Sequence, residues 1–414
     1  MTGGAGPSFS RRRLLAATGL AGAGAVAAVA LPGTGGAAPS AASDPTATTL
    51  AFHGAHQQGI ATPEQARMVF ASFDVSGDRT ALSELLTAWT AAAHQLTTGQ
   101  PIAGPADPFA PPVDTGEALD LPASRLTLTV GYGPSLFDDR FGLAPRRPAA
   151  LVALPAFPGD ALDPARSDGD LCIQACADDT QVAFHAVHTL TRMALGTATL
   201  RWIQFGFGRT AAPGAGGATP RNLLGFKDGT DNLVTTSSTA LSTHVWVDDR
   251  SDQSWMTGGT YLVARRIRTH LEAWDRSTLH DQERTIGRVK GSGAPLGRGA
   301  ERDPVDLAAL DSSGRPSIPV DAHIRLAAPS ANHGAAILRR GYSFADGIDP
   351  ATGELDAGLF FVCFQKDPTR QFIPIQQRLA EQDALAHYLV HTGSAVFACP
   401  PGTSPGRPWG HGLL

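Results

Sequence analysis

Residues 211–221 read AAPGAGGATPR, a run of small, glycine- and proline-rich positions that can continue neither a helix nor a strand. The chain repeats one rhythm on either side of this break. Before it stand a strand-patterned RMVFASFDV (67–75) and a helix-patterned RTALSELLTAWTAAAHQL (79–96). RLTLTVGYG (125–133) follows, alternating apolar and polar like a half-buried strand. DLCIQACADD (170–179) reads as a strand, QVAFHAVHTLTRMAL (181–195) as a helix and LRWIQFGFGR (200–209) as a strand. After the break come strand GTYLVARRIR (259–268), a helix through THLEAWDR, strands HIRLAAP (323–329) and GLFFVCFQKD (358–367), and helix QQRLAEQDALAHYLVHTG (376–393). The regular alternation of a doubly wound parallel sheet is missing. The pattern predicts two α+β domains with antiparallel sheets, over residues 44–215 and 216–414.

Composition agrees with a folded chain. Of 414 residues, 42% are hydrophobic and 17% charged, enough apolar material for a sizeable core. The net charge of −5, with no basic block beyond the extreme N-terminus, argues against a nucleic-acid partner. Cys172, Cys176, Cys363 and Cys399 have neither the number nor the spacing of a disulfide scaffold or a zinc ribbon. Cys172 and Cys176 are one bridge or two buried thiols, and the flanks LCIQACA favour thiols in a core strand.

The N-terminus reads SFSRRRLLAATGLAGAGAVAAVALPG, with three arginines directly before a mildly apolar run and small-residue cleavage options at 28–30 and 36–38. This is the pattern of an export signal of the twin-arginine type, with signal and linker over residues 1–43. The glycines and the modest hydrophobicity make it a poor membrane span. The expected location is extracellular, periplasmic or at the cell surface. Twin-arginine export carries folded proteins, often with a cofactor already inserted.

No GxxxxGK[ST], HExxH or CxxCH occurs, which leaves nucleoside triphosphate, a zincin metal site and covalently attached haem without support. GFKDGTDN (225–232) places Asp228 beside glycines, which suits either a tight turn or a loop passing close to a flat ligand. His323 lies in the apolar stretch HIRLA, and Arg339 and Arg340 follow within ILRRGY. A buried arginine needs an anionic or polar partner. Asp228, with a histidine and an arginine that both look buried, makes up the parts of a haem peroxidase.

On these residues the chain resembles the dye-decolourising peroxidase family, in its exported, deferrochelatase-like branch. The resemblance is carried by FHGAHQQGI, LTLTVGYGPSLFDDRFGL, NLLGFKDGTDN, GGTYLVARRIR, IGRVKGSGAPLG, HIRLA, ILRRGYSF, GLFFVCFQKD and FIPIQQRLA, from about residue 49 to 393. It implies two ferredoxin-like domains holding one non-covalent haem b, mainly against the C-terminal one. It makes Asp228 the distal acid/base, Arg339 the distal arginine and His323 the proximal iron ligand. Gly229 and Thr230 become contacts of the porphyrin. Arg325 is a propionate partner or else a surface ion pair. Asp383, with Glu381 as the alternative, accepts the other ring N–H of His323. Where relatives read Asn-Pro after HIRLA, this chain reads Ala328-Pro329. Trp255, Trp274, Tyr342 and Tyr388 are either electron relays or packing residues.

The implied reaction reduces hydrogen peroxide and oxidises dyes, phenols or metal ions through a ferryl intermediate. A second reading is a deferrochelatase, or a haem- or metal-handling protein of an exported iron or copper uptake system. A carboxylate base stays ionised below about pH 6, where an imidazole is protonated, so the resemblance implies an acidic optimum.

Overall fold

The computed structural model describes residues 48–104, 107–208 and 219–414. The export signal and the inter-domain junction near residue 215 lie outside the described residues. Strand β1 (Arg67–Val75), helix α1 (Arg79–Thr97), β2 (Thr127–Tyr132), β3 (Leu171–Ala177), α2 (Thr180–Met193) and β4 (Ala198–Phe207) form the first half. The second half holds α3 (Ser238–His244), β5 (Thr260–Thr269), α4 (Leu271–Asp275), α5 (Leu279–Ile286), α6 (His323–Ala327) and β6 (Leu338–Arg339). It ends with β7 (Tyr342–Ile348), β8 (Leu355–Gln365), α7 (Phe372–Gln382) and β9 (Leu389–Cys399).

Every named strand pairing is antiparallel. The first half is ordered β4-β1-β3-β2 and the second β9-β5-β8-β7. With β6 and β7 counted as one strand, each order runs fourth, first, third, second along its own half, the ferredoxin-like arrangement. Single-residue bridges, Tyr132 to Ala398 and Phe207 to Ser343, link the two sheets at both edges, so the strands close into a ring.

The pleat then divides the core. Val69, Ala71 and Phe73 of β1 pack under helix residues Leu82, Leu86 and Trp89. Met68 and Phe70 point the other way, to Phe360, Val362 and Phe397 between the two sheets. Strand β2 was expected to be half-buried but is buried at every position. Its polar alternates are covered by residues 57–65: Thr127 accepts from Gln65, and Thr129 donates to the Gln58 carbonyl. All four cysteines are free and buried, as core thiols. No helix of the described residues is long and apolar enough to cross a membrane.

Two sequence expectations are corrected. HIRLA is the five-residue helix α6, not a strand. A short apolar run has no periodicity that separates the two states. Here Pro319 and Pro329 bracket it, and only Leu326 is buried. The helix expected over 376–393 is three elements. Helix α7 stops at Gln382, and Asp383 caps a 3-10 turn, Ala384–Tyr388, by accepting from Leu385 N at 2.9 Å. The β-branched Val390 and Thr392 then continue as β9.

Candidate active site

The loop bearing Asp228 is a small hairpin. Arg221 bridges Lys227, Asn222 N donates to Phe226 O at 3.0 Å, and Asp228 N donates to Pro220 O at 2.8 Å. Asn222 Oδ1 shapes the turn by accepting from Leu224 N and Phe226 N at 3.1 and 3.3 Å. Gly225 and Gly229 sit at φ +83° and +113°, conformations that side-chain-bearing residues rarely adopt. GFKDGTDN is therefore a turn, and one that delivers a carboxylate. From outside, Thr219, Lys227 and Thr230 all donate to Glu301. Burial alone would raise the Glu301 carboxyl, but these hydrogen bonds override it and hold the pKa at about 2.

Arg339 meets this loop from β6. Strands β6 and β7 keep one register against β8, with Arg339 opposite Cys363 and Tyr342 opposite Phe360. Arg339 and Arg340 are therefore neighbours on one extended strand and point to opposite faces. Arg339 Nη1 donates to Asp228 Oδ1 at 2.7 Å. Asn232 clamps the Arg339 backbone, donating to its carbonyl at 2.7 Å and accepting from its N–H at 2.9 Å. Arg340 is buried on the other face, where it donates to Thr62 O at 2.5 Å and to Gln65 Oε1. Asp228, Gly229 and Arg339 line one cavity with Leu359 and Phe361 of β8.

His323 opens α6. Its Nδ1 donates to Asp383 Oδ2 at 2.6 Å, leaving Nε2 as the available ring nitrogen. The link between Ala384 N and Asp321 O, at 3.0 Å, fixes the two elements to each other. Burial lowers the pKa of His323, but the Asp383 carboxylate outweighs it and holds the value above the ordinary one. Arg339 and Asp228 are close enough to act on the same ring, Arg339 lowering and Asp228 raising.

The site residues are partly uncovered. His323 keeps 34% of its side chain uncovered. Arg339 and Asp228 are 32% and 30% uncovered. A planar cofactor fits this donor set. One imidazole nitrogen is oriented by a carboxylate and a second is free, as axial histidines are held. An ion pair lines the neighbouring cavity.

Other expected residues go elsewhere. Thr230 is engaged by Glu301. The Arg325 guanidinium donates to the carbonyls of Leu307, Ile318 and Pro319, a strap for that loop that occupies both Nε and Nη2. Glu381 is hydrogen-bonded to Gln377, and His323 takes Asp383 instead. Trp255, Trp274 and Tyr342 are core residues, and Tyr388 packs edge-on to Trp274. His391 lies in β9, where burial and Arg265 push its pKa down to about 3. Asn222 and Asn232 were not singled out from the sequence, although asparagine beside Gly and Asp marks side-chain-braced turns.

Comparison with known proteins gives one answer. The family model described as Dyp-type peroxidase, N-terminal, matches residues 57–208, and that described as Dyp-type peroxidase, C-terminal, matches 219–404. The chain is 39% identical over 400 residues to a deferrochelatase of Escherichia coli (strain K12), covering 95% of this chain and 94% of that one. It is 39% identical over 359 residues to a deferrochelatase of Yersinia pseudotuberculosis, covering 85% and 82%. Among solved structures, a DyP-type peroxidase from Streptomyces coelicolor superposes with TM-score 0.82 at 40% identity, covering 89% of this chain and 97% of that one. Ferric DtpA from Streptomyces lividans gives 0.82 at 41% identity, covering 88% and 96%.

Proposed function

Because this chain belongs to the Dyp-type peroxidase family and is a haem-dependent peroxidase, we propose that Asp228 and Arg339 are its distal pair and His323 its axial ligand. Haem, held by His323, would supply the redox-active iron centre for peroxide chemistry. The chain's own residues do the rest. Asp228, held by its ion pair and by the hairpin, accepts the proton of the near peroxide oxygen and returns it to the far one. Arg339 stabilises the negative charge that develops on the departing oxygen. Asp383 fixes the His323 tautomer, so that Nε2 faces the cofactor. Dyes, phenols or metal ions are the proposed reductants.

The observation that carries this reading is the 2.7 Å Arg339–Asp228 pair in the cavity, beside a histidine braced by a carboxylate. A protein that only carried haem would need the axial ligand alone. The names of the deferrochelatase relatives keep a second reading open, release of iron from haem within an exported iron or copper uptake system. The arginines at 11–13 and the apolar run after them support export by the twin-arginine route.

One experiment separates the two readings. Purified holoprotein is given peroxide and a dye in one arm, and a reductant without peroxide in the other. Peroxide-dependent dye oxidation with the porphyrin keeping its iron is the expected result. Iron-free porphyrin accumulating without dye turnover would overturn it.

A further inference from the structure

The distal cavity holds a second carboxylic acid, supplied by the other half of the chain. Glu64 precedes β1 and lines the same cavity as Asp228 and Arg339. Its backbone is fixed from two directions. Arg340 donates to Thr62 O and Pro63 O at 2.5 and 3.4 Å, and Arg125 Nη2 donates to Glu64 O at 3.1 Å. Gln65 is tied down as well, donating to Arg125 O at 2.8 Å and to Thr127 Oγ1 at 3.1 Å. The Glu64 carboxylate, by contrast, has no hydrogen-bond or ion-pair partner among the described residues. A loop held this firmly, with its one ionisable side chain left free beside a catalytic ion pair, is arranged to present that side chain to the cavity.

We propose that Glu64 is a proton-exchanging residue of the distal cavity, passing protons between solvent and Asp228. This rests on the reading of Asp228 as the distal proton carrier. The chemistry needs a supply of protons. Reduction of one peroxide to two waters consumes two protons and two electrons. The electrons come from the reductant, and the protons must reach a carboxylate that is only 30% uncovered. In the proposed step protonated Glu64 transfers its proton to the Asp228 carboxylate, directly or through one water. Glu64 is left as the carboxylate and takes up a proton from solvent, and no other bond changes.

The electrostatic setting supports the role. Burial raises the Glu64 carboxyl; Arg340 opposes this, Asp228 adds to it and Arg339 opposes it, and the net shift is upward. Tyr342 and Arg221 also line the cavity, and Cys176 lies near Arg340. Glu64 therefore keeps a transferable proton to higher pH than an ordinary glutamate, about 4.3.

The test uses holoprotein of wild type, Glu64→Gln, Glu64→Asp and Asp228→Asn. Infrared difference spectra over a pH titration should show a protonated-carboxyl band in wild type that titrates above the ordinary glutamate range. The band should be absent in Glu64→Gln, displaced in Glu64→Asp and present in Asp228→Asn. In stopped flow, Glu64→Gln should leave the spectral change caused by peroxide within about two-fold of wild type. It should slow the reductant-driven return to the resting spectrum by about ten-fold or more, at the low edge of general-acid contributions, and Glu64→Asp should restore most of that rate. A Gln variant with an unslowed return, or with the band intact, overturns the proposal. An Asp228→Asn variant with a wild-type peroxide step would instead overturn the reading on which it rests.

Discussion

The two halves of this protein share a strand order and differ in what fills the connections. In the first half, β1 leads to β2 through the 19-residue helix α1, and β3 leads to β4 through the 14-residue helix α2. Leu82, Leu86, Trp89 and Leu190 of these helices are wholly buried against the sheet. In the second half the connection from β5 to β6 covers 270–337, and its helices α4, α5 and α6 have five, eight and five residues. It buries a small cluster around Leu224, Phe226, Trp274, Ile286 and Leu385. His323, Arg339 and Asp228 are left about one third uncovered. Long amphipathic helices close one sheet face; short helices and loops keep the other open for a cofactor. The chemistry sits on irregular chain held by a rigid frame.

If that contrast is right, substitutions at the uncovered residues of the open half change the site, and those beneath the long helices of the closed half change only stability. The largest effect is expected from His323→Ala, which removes the axial nitrogen: the purified variant should lose its Soret band or hold haem only weakly. Unchanged haem content would move the ligand elsewhere, with the exposed His333 the first alternative. Next comes Arg339→Leu, expected to slow the peroxide step by about 10²–10³-fold, the scale of removing one preorganised charge donor. Arg340→Leu, which leaves the Thr62 and Gln65 acceptors unpaired, should instead lower the melting temperature and slow that step far less. The reverse ranking would show that the strand presents the other arginine. Asp383→Asn should weaken haem retention by about 10–100-fold, read by transfer of haem to an apo-acceptor. In the haem-free protein it should also remove the rise in His323 pKa, because the carboxylate that favours the imidazolium is gone. Leu86→Ala, in the closed half, should lower unfolding free energy by about 2–5 kcal/mol and leave haem per folded molecule unchanged. A matching loss of haem would mean the halves are not separable in this way.

The same contrast explains what could be read from the sequence. Strands such as 67–75, 171–177 and 260–269 are dense in β-branched and apolar residues with turn formers at their ends, and long helices show a clear apolar stripe. The closed half was therefore almost fully legible. The open half was not: HIRLA is too short to show a period, and the run after Asp383 keeps a helical composition across a break that only a cap creates. Asp228, Arg339, His323 and Asp383 could be singled out because they lie in recognisable short motifs, and the structure pairs Asp228 with Arg339 and His323 with Asp383. Arg325 and Thr230 were placed at the cofactor from their neighbourhood, and only three-dimensional partners show them bonded to backbone carbonyls and to Glu301. Glu64 lies some 160 residues before Asp228, and nothing local to ATPEQA marks it. Its relevance exists only once the ring of strands closes.

The central claim is that Asp228, delivered by its hairpin and paired with Arg339, is the base for peroxide. The most direct measurement is stopped-flow absorbance of ferric holoprotein mixed with one equivalent of hydrogen peroxide, for wild type and Asp228→Asn at equal haem content. The account predicts a rapid Soret change in wild type and one slowed by about 10²-fold or more in the Asn variant, the usual scale of losing a positioned base. Equal rates in the two proteins would contradict it and return GFKDGTDN to a turn beside the cofactor.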